Sequence, residues 1–187
     1  MANDPSIPAS IQSELRNYGL ALDEFPDNGN WPYQLYIREA RRMVGQYVMT
    51  EADITTNIDK QDCVAIGTWY GDCHPCDAYS SVKLGPGDNE ASVDIDGELD
   101  VSTPAYQIPY RCMLTSSSSV ANLAVVCCLS SSHVAFSSLR VEPSFMMLGE
   151  AAGIAAGLCV KHGVTFSDVS VPDLQGILVS NGSILAL

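Results

Sequence analysis

Apolar positions in the first thirty residues are scattered among Asp, Asn and Pro, and only residues 11–22 have the spacing of a short helix. Asp27-Asn28-Gly29-Asn30 is turn chemistry, and Pro32 stands where a proline can open a helix. Further on, apolar side chains recur at Tyr33, Tyr36 and Ile37, Ala40, Met43 and Val44, and Tyr47 and Val48. That three-and-four spacing predicts an amphipathic helix, with Arg38, Arg41 and Arg42 off its apolar stripe. Residues 63–70 read as a strand. Residues 77–100 alternate turn signals with short apolar pieces and predict a hairpin or a solvated loop around Gly85-Pro86-Gly87-Asp88. Residues 105–114 read as an edge strand, because Pro109 cannot donate to a central ladder. Residues 116–119, all serine, read as a flexible loop.

The second half is more strongly patterned. Residues 123–129, LAVVCCL, form an unbroken apolar run, which predicts a strand buried on both faces, as in a parallel sheet. Cys127 and Cys128 are then expected as reduced, buried thiols. After the serine-rich residues 130–138, Pro143 opens a long helix that runs to about His162 and stops at Gly163. It contains Gly149, Ala151, Ala152, Gly153, Ala155, Ala156 and Gly157. Each glycine costs a helix roughly 1 kcal/mol, so this many small residues predict close approach by another element. A last helix over residues 172–179 ends at Asn181-Gly182.

Composition narrows the function. The chain has 187 residues, 47% of them apolar, enough for a core without disulfides. Nine Lys and Arg against 22 Asp and Glu give a net charge of −13. Such a surface repels phosphate backbones and anionic lipid, so nucleic-acid and membrane partners are not expected. No uninterrupted apolar run reaches about 18 residues. The N-terminus shows no signal peptide, and seven cysteines are too few for a disulfide scaffold. An intracellular setting is favoured, with the compartment otherwise unknown.

Three places carry candidate chemistry. Cys73-His74-Pro75-Cys76 is a C-x-x-C pair, read either as a thiol-redox site or as a polar loop with incidental cysteines. His133 follows the apolar run, where it is either an acid/base group or a structural histidine. The start of the long helix, residues 142–147, offers unpaired N–H groups and partial positive charge to an anion, a phosphate or a reduced flavin among them. The acidic residues Glu90, Asp94, Asp96, Glu98 and Asp100 do not have calcium-loop spacing, and no metal site is expected.

Residues 25–54, FPDNGNWPYQLYIREARRMVGQYVMTEADI, together with residues 63–74, residues 106–111 and residues 122–160, NLAVVCCLSSSHVAFSSLRVEPSFMMLGEAAGIAAGLCV, carry a family resemblance. They resemble the C-terminal part of FAD-dependent oxidoreductases of the glutathione-reductase-like superfamily. The resemblance implies an α/β fold of mixed α+β character, in which the last buried strand and the long helix return to the FAD-binding domain. It implies FAD as cofactor, held near Ser138, Arg140, Glu142, Pro143, Ser144, Phe145 and Met146. His133, Ser138 and Arg140 would lie in the loop leading to the flavin. His74 matches a histidine of the family, and Arg111 matches the arginine of its PYR motif. These two and His133 are the implied candidates for proton transfer or substrate positioning. Cys73 and Cys76 depart from the family pattern.

The dinucleotide fingerprint G-x-G-x-x-G is absent from the sequence. The expectation is therefore a C-terminal portion that needs an N-terminal dinucleotide-binding portion and acts on a small-molecule substrate. Its three parts would be an N-terminal extension or partial substrate-region segment (1–31), a substrate-covering region (32–115) and the closing strand–loop–helix of the FAD domain (116–187). Alternatives of other classes are a non-catalytic interaction module that keeps this fold, and a thiol-redox protein using Cys73 and Cys76.

Overall fold

The computed structural model describes residues 2–56, 58–85, 88–116 and 120–186, and it divides after Arg38 into two units. In the first unit, helix α1 (Ala9–Leu15) is shorter than the expected 11–22 segment. Gln12 ties it to the carbonyls of Asp4 and Ile7 at 2.9 and 2.7 Å. Phe25 packs edge-on against Tyr33 at 5.5 Å, and the Tyr33 hydroxyl donates to Asp27. Among the described residues of this unit none is buried.

The second unit, from Glu39 on, holds the core. Strand β1 (Cys63–Gly67) pairs antiparallel with β6 (Tyr106–Pro109). Strand β2 (Gly71–Cys73) pairs with β5 (Leu99–Val101), and β3 (Asp77–Gly85) forms a hairpin with β4 (Asp88–Asp96). The hairpin expected over 77–100 is present; the central turn residues 86 and 87, like 117–119 of the serine loop, lie outside the described residues. Among the described residues four α-helices complete the unit: α2 (Glu51–Thr55), α3 (His133–Leu139), α4 (Glu142–His162) and α5 (Val171–Ser180). The helices α4 and α5 pack on each other and on β1, while α2 packs on α3 and β6. Tyr106, Ile108, Met113, Leu129, Leu139, Leu148, Leu174 and Leu178 are buried at the centre. Helices and sheets are mixed along the chain, in agreement with the α/β expectation.

The predicted helix over 33–48 is not formed. Residues 43–49 instead bend at Gln46 and Tyr47 between isolated bridges at Gly45 and Met49, with Met43 N–H donating to Cys128 O (2.9 Å), Gln46 N–H to Leu114 O (3.0 Å) and Met49 N–H to Ser130 O (3.1 Å). Gly45 decides this. A Cβ there would lie 2.7 Å from the Leu114 carbonyl and 2.8 Å from Ser130 Cβ. Only glycine permits that approach, and glycine also weakens a helix. Gly45 and Met49 are buried with Tyr47 half-buried between them, whereas Val44, Gln46 and Val48 are exposed. This burial has a period of two, which a short apolar run satisfies as readily as helical spacing.

The run at 123–129 departs from expectation in the same way. Ala124 makes one antiparallel bridge with Leu114, and Val125 N–H donates to Met113 O at 2.8 Å. The chain then turns, leaving Cys127 and Cys128 exposed rather than buried. All three sheets among the described residues are antiparallel, and the one parallel pairing is the isolated bridge Met49–Ser131. His133 and Ser138 lie on a helix, not in a loop, and Arg140 caps its end.

The two C-terminal helices form as predicted. Gly163 ends α4 at φ +66°, a left-handed cap that favours glycine. By length and composition α4 could cross a membrane. Here its Ser144, Leu148, Ala151, Ala155, Leu158 and Cys159 face inward. Ala151 and Ala155 give the close packing expected of small residues, but the glycines do not. A Cβ added at Gly149, Gly153 or Gly157 would meet nothing within 4 Å.

Candidate active site

Helix α3 and the short link to α4 position three of the sequence-predicted residues, His133, Ser138 and Arg140. Ser132 caps α3, its hydroxyl accepting from Ala135 N–H at 3.2 Å. His133 is the first helical residue. Its side chain is 53% exposed and its Nδ1 lies 2.7 Å from Glu39 Oε2. The other Glu39 oxygen is bonded to Arg42 Nη1. Arg42 Nε donates to Ser131 O at 2.9 Å, and its guanidinium lies 5.3 Å from the centre of the Phe136 ring. The buried hydroxyls of Ser130 and Ser131 have no hydrogen-bond partner among the described residues.

At the far end of α3, Ser138 is fully buried. Its hydroxyl donates to Trp69 O and lies 2.7 Å from the Tyr106 hydroxyl, which burial holds protonated by raising its pKa to about 12. Arg140 donates to Asp72 O at 2.9 Å and pairs with its carboxylate at 3.5 Å. The same carboxylate lies 3.2 Å from His74 Nε2. Arg140 and His74 are thus joined through Asp72, on β2, and Ser138 and Arg140 have partners inside the protein.

Arg111 stands elsewhere, on a 3-10 helix (Tyr110–Met113) after β6. Its Nε and Nη2 grip Asp62 at 2.9 and 3.1 Å, and it lies 5.1 Å from the centre of the Tyr47 ring. That ring also faces Lys60 at 5.6 Å and donates from its hydroxyl to Asp53 at 2.5 Å. Lys60 and Asp53 form a buried ion pair at 2.7 Å. No hydrogen bond or ion pair joins any two of His133, His74 and Arg111. A cavity of about 450 Å³ opens at Asp62 and Arg111.

Helix α4 begins differently from its neighbours. Ser132 and Ser170 cap α3 and α5 with their side chains, but Val141 precedes α4 and has no group that could do so. The first-turn N–H groups of the longest helix are left without a side-chain acceptor. Around that turn Glu142 and Pro143 are exposed, Ser144 is buried, Phe145 is half-buried and Met146 is 74% exposed. An apolar cavity of about 590 Å³ lies alongside the next residues of the helix, Met147 and Glu150, and against Val64 and Ile66 of β1. Glu142 is the acidic side chain in the first turn of this 21-residue helix, and the cavity begins beyond that turn, at Met147.

The family model for FAD dependent oxidoreductases matches residues 6–178. The chain belongs to the FAD dependent oxidoreductase family. Its redox cofactor is accordingly FAD. Neither the curated proteins nor the solved structures give a match. In this FAD dependent oxidoreductase, Glu142, Pro143, Ser144, Phe145 and Met146 form the start of α4, whose N-terminus Val141 does not cap. Among the described residues no three His, Cys, Asp or Glu side chains group as a metal site.

Sequence reasoning missed Glu39, Arg42, Asp72 and the Asp53–Lys60 pair. Arg42 was expected off the apolar stripe of a helix that does not form, and Glu39 was given no role. The signal available was the run Arg38-Glu39-Ala40-Arg41-Arg42, whose charges are dense for a segment so rich in apolar residues. Cys73 is buried and Cys76 exposed, both as free thiols. Burial raises the thiols of Cys63 (to about 11), Cys112 and Cys159, which keeps these three protonated and unreactive.

Proposed function

We propose that this chain is the flavin-side, C-terminal portion of a glutathione-reductase-like oxidoreductase that oxidises a small organic molecule. The substrate class is a C–H next to a hydroxyl or amine, as in a sugar. The observation that carries this reading is the uncapped start of α4, the longest helix, in a chain of an FAD family. The absence of G-x-G-x-x-G supports a second portion that holds the ADP moiety. The open glycine face of α4, Gly149, Gly153 and Gly157, supports a surface for it to meet.

Bound FAD supplies a two-electron acceptor that takes hydride from the substrate carbon. The chain's residues do the rest. The α4 terminus, with Ser144 and Phe145, orients the ring and stabilises negative charge at its edge. His133 takes the hydroxyl or amine proton at Nε2, the nitrogen not facing Glu39. His74, its Nε2 turned to Asp72, acts with Arg140 as part of the surrounding charge. Arg111 serves the architecture first, because Asp62 holds two of its three nitrogens.

The test joins this chain to a preceding dinucleotide-binding segment, purifies it gently and records the visible spectrum. Flavin absorbance is expected, and a colourless protein contradicts the reading. Anaerobic mixing with sugars, alcohols and amines then identifies the substrate by bleaching. His133→Ala should retain the flavin and slow bleaching by about 10²–10⁴-fold. An unchanged rate removes His133 from proton transfer.

A further inference from the structure

We propose that Glu39 is a positioning residue that fixes the tautomer of His133, and that Arg42 holds Glu39 in place. The inference deepens the proposed function and takes its catalytic meaning from the reading of His133 as the proton acceptor. The geometry itself is independent of that reading.

A carboxylate only accepts hydrogen bonds, so the 2.7 Å contact between Glu39 Oε2 and His133 Nδ1 places the imidazole proton on Nδ1. A neutral ring then carries its lone pair on Nε2. An unconstrained histidine prefers the opposite tautomer. Nε2 has no partner among the described residues, and about half of the side chain is exposed. Glu39 thus converts an ordinary surface imidazole into one whose basic nitrogen is the one the protein does not hold.

Arg42 is what makes this more than a loose surface pair. It grips the second Glu39 oxygen, donates to the Ser131 carbonyl two residues before His133, and lies over Phe136, one turn further along α3. Its planar fork therefore references the carboxylate to the same short helix that carries the histidine. A lysine has neither the fork nor the flat face for both contacts. The four side chains, Phe136, Arg42, Glu39 and His133, form one chain of contacts that ends at Nε2.

The experiment is long-range ¹H–¹⁵N spectroscopy of the imidazoles in the full chain, at a pH where they are neutral. His74 and His162 serve as internal reporters of folding. Wild-type His133 is expected as the Nδ1–H tautomer. Glu39→Gln should keep that tautomer, because the amide oxygen still accepts. Glu39→Ala should shift the majority to Nε2–H with the other two histidines unchanged. If Glu39→Ala disturbs folding, Arg42→Lys should give a mixed tautomer in a folded chain. A wild-type His133 that is mainly Nε2–H overturns the proposal. So does an unchanged tautomer in folded Glu39→Ala, or in Arg42→Lys if that variant has to serve. The measurement needs neither flavin nor substrate. An Nδ1–H tautomer that depends on Glu39, combined with full turnover in His133→Ala, supports the positioning role and overturns only the proposed base.

Discussion

Two buried carboxylates set how the second unit responds to acid. Burial by itself would raise both Asp53 and Asp62, yet both lie below the ordinary value of 3.8. For Asp53, hydrogen bonds from Lys60, Tyr47 and the Thr50 N–H outweigh burial; for Asp62, the Arg111 side chain and N–H do so. As pH falls, the unfolded chain therefore takes up protons first. The stability these groups contribute is intact above about pH 4 and is lost as pH falls through their depressed folded values. Thermal unfolding should show a midpoint that drops on acidification through this window. Lys60→Met removes the cation and leaves Asp53 buried alone, which should cost about 3–5 kcal/mol at neutral pH. With burial then the dominant influence on Asp53, part of that loss should return on acidification. A variant with the wild-type pH slope would show that Lys60 does not hold Asp53 charged.

Among the elements, α4 is where stability and binding are set against each other. Val141 has extended dihedrals (φ −92°, ψ 145°), the conformation a capping residue adopts. Val141→Asp should cap the helix and stabilise the chain by about 1 kcal/mol, read as a rise in the denaturation midpoint. The same carboxylate would fill the positive helix end, so flavin affinity of the complete protein should fall. A gain in both would place the flavin elsewhere. This helix, α5 and the 77–96 hairpin were legible in the sequence because proline, glycine and Asn-Gly signals bound them and their periods are long. The segments 43–49 and 123–129 were not. Each is too short for its period to separate helix from strand, and each takes its conformation from a distant partner: Gly45 from Leu114 and Ser130, Val125 from Met113. The roles of Glu39 and Arg42 were not legible either, because the partners of Arg42, Ser131 and Phe136, lie roughly 90 residues further along the chain.

Over the whole molecule, the features that stand out are the ones without partners. The described residues of the first unit bury nothing, the glycine face of α4 is open, and Met146 and Val160 on that helix are exposed. The second unit has a continuous core from Met49 to Leu178, with an uncapped helix end and exposed apolar side chains outside it. Sequence similarity identified the family and its cofactor, and the histidine–carboxylate geometry emerged only in three dimensions. The central claim is that these 187 residues hold the ring end of FAD and lack the site for its ADP end. Titration of the isolated chain with FAD and with riboflavin, followed by flavin fluorescence, tests it most directly. The account predicts weak binding that is alike for the two ligands. Tight, stoichiometric binding of FAD in strong preference to riboflavin would contradict it.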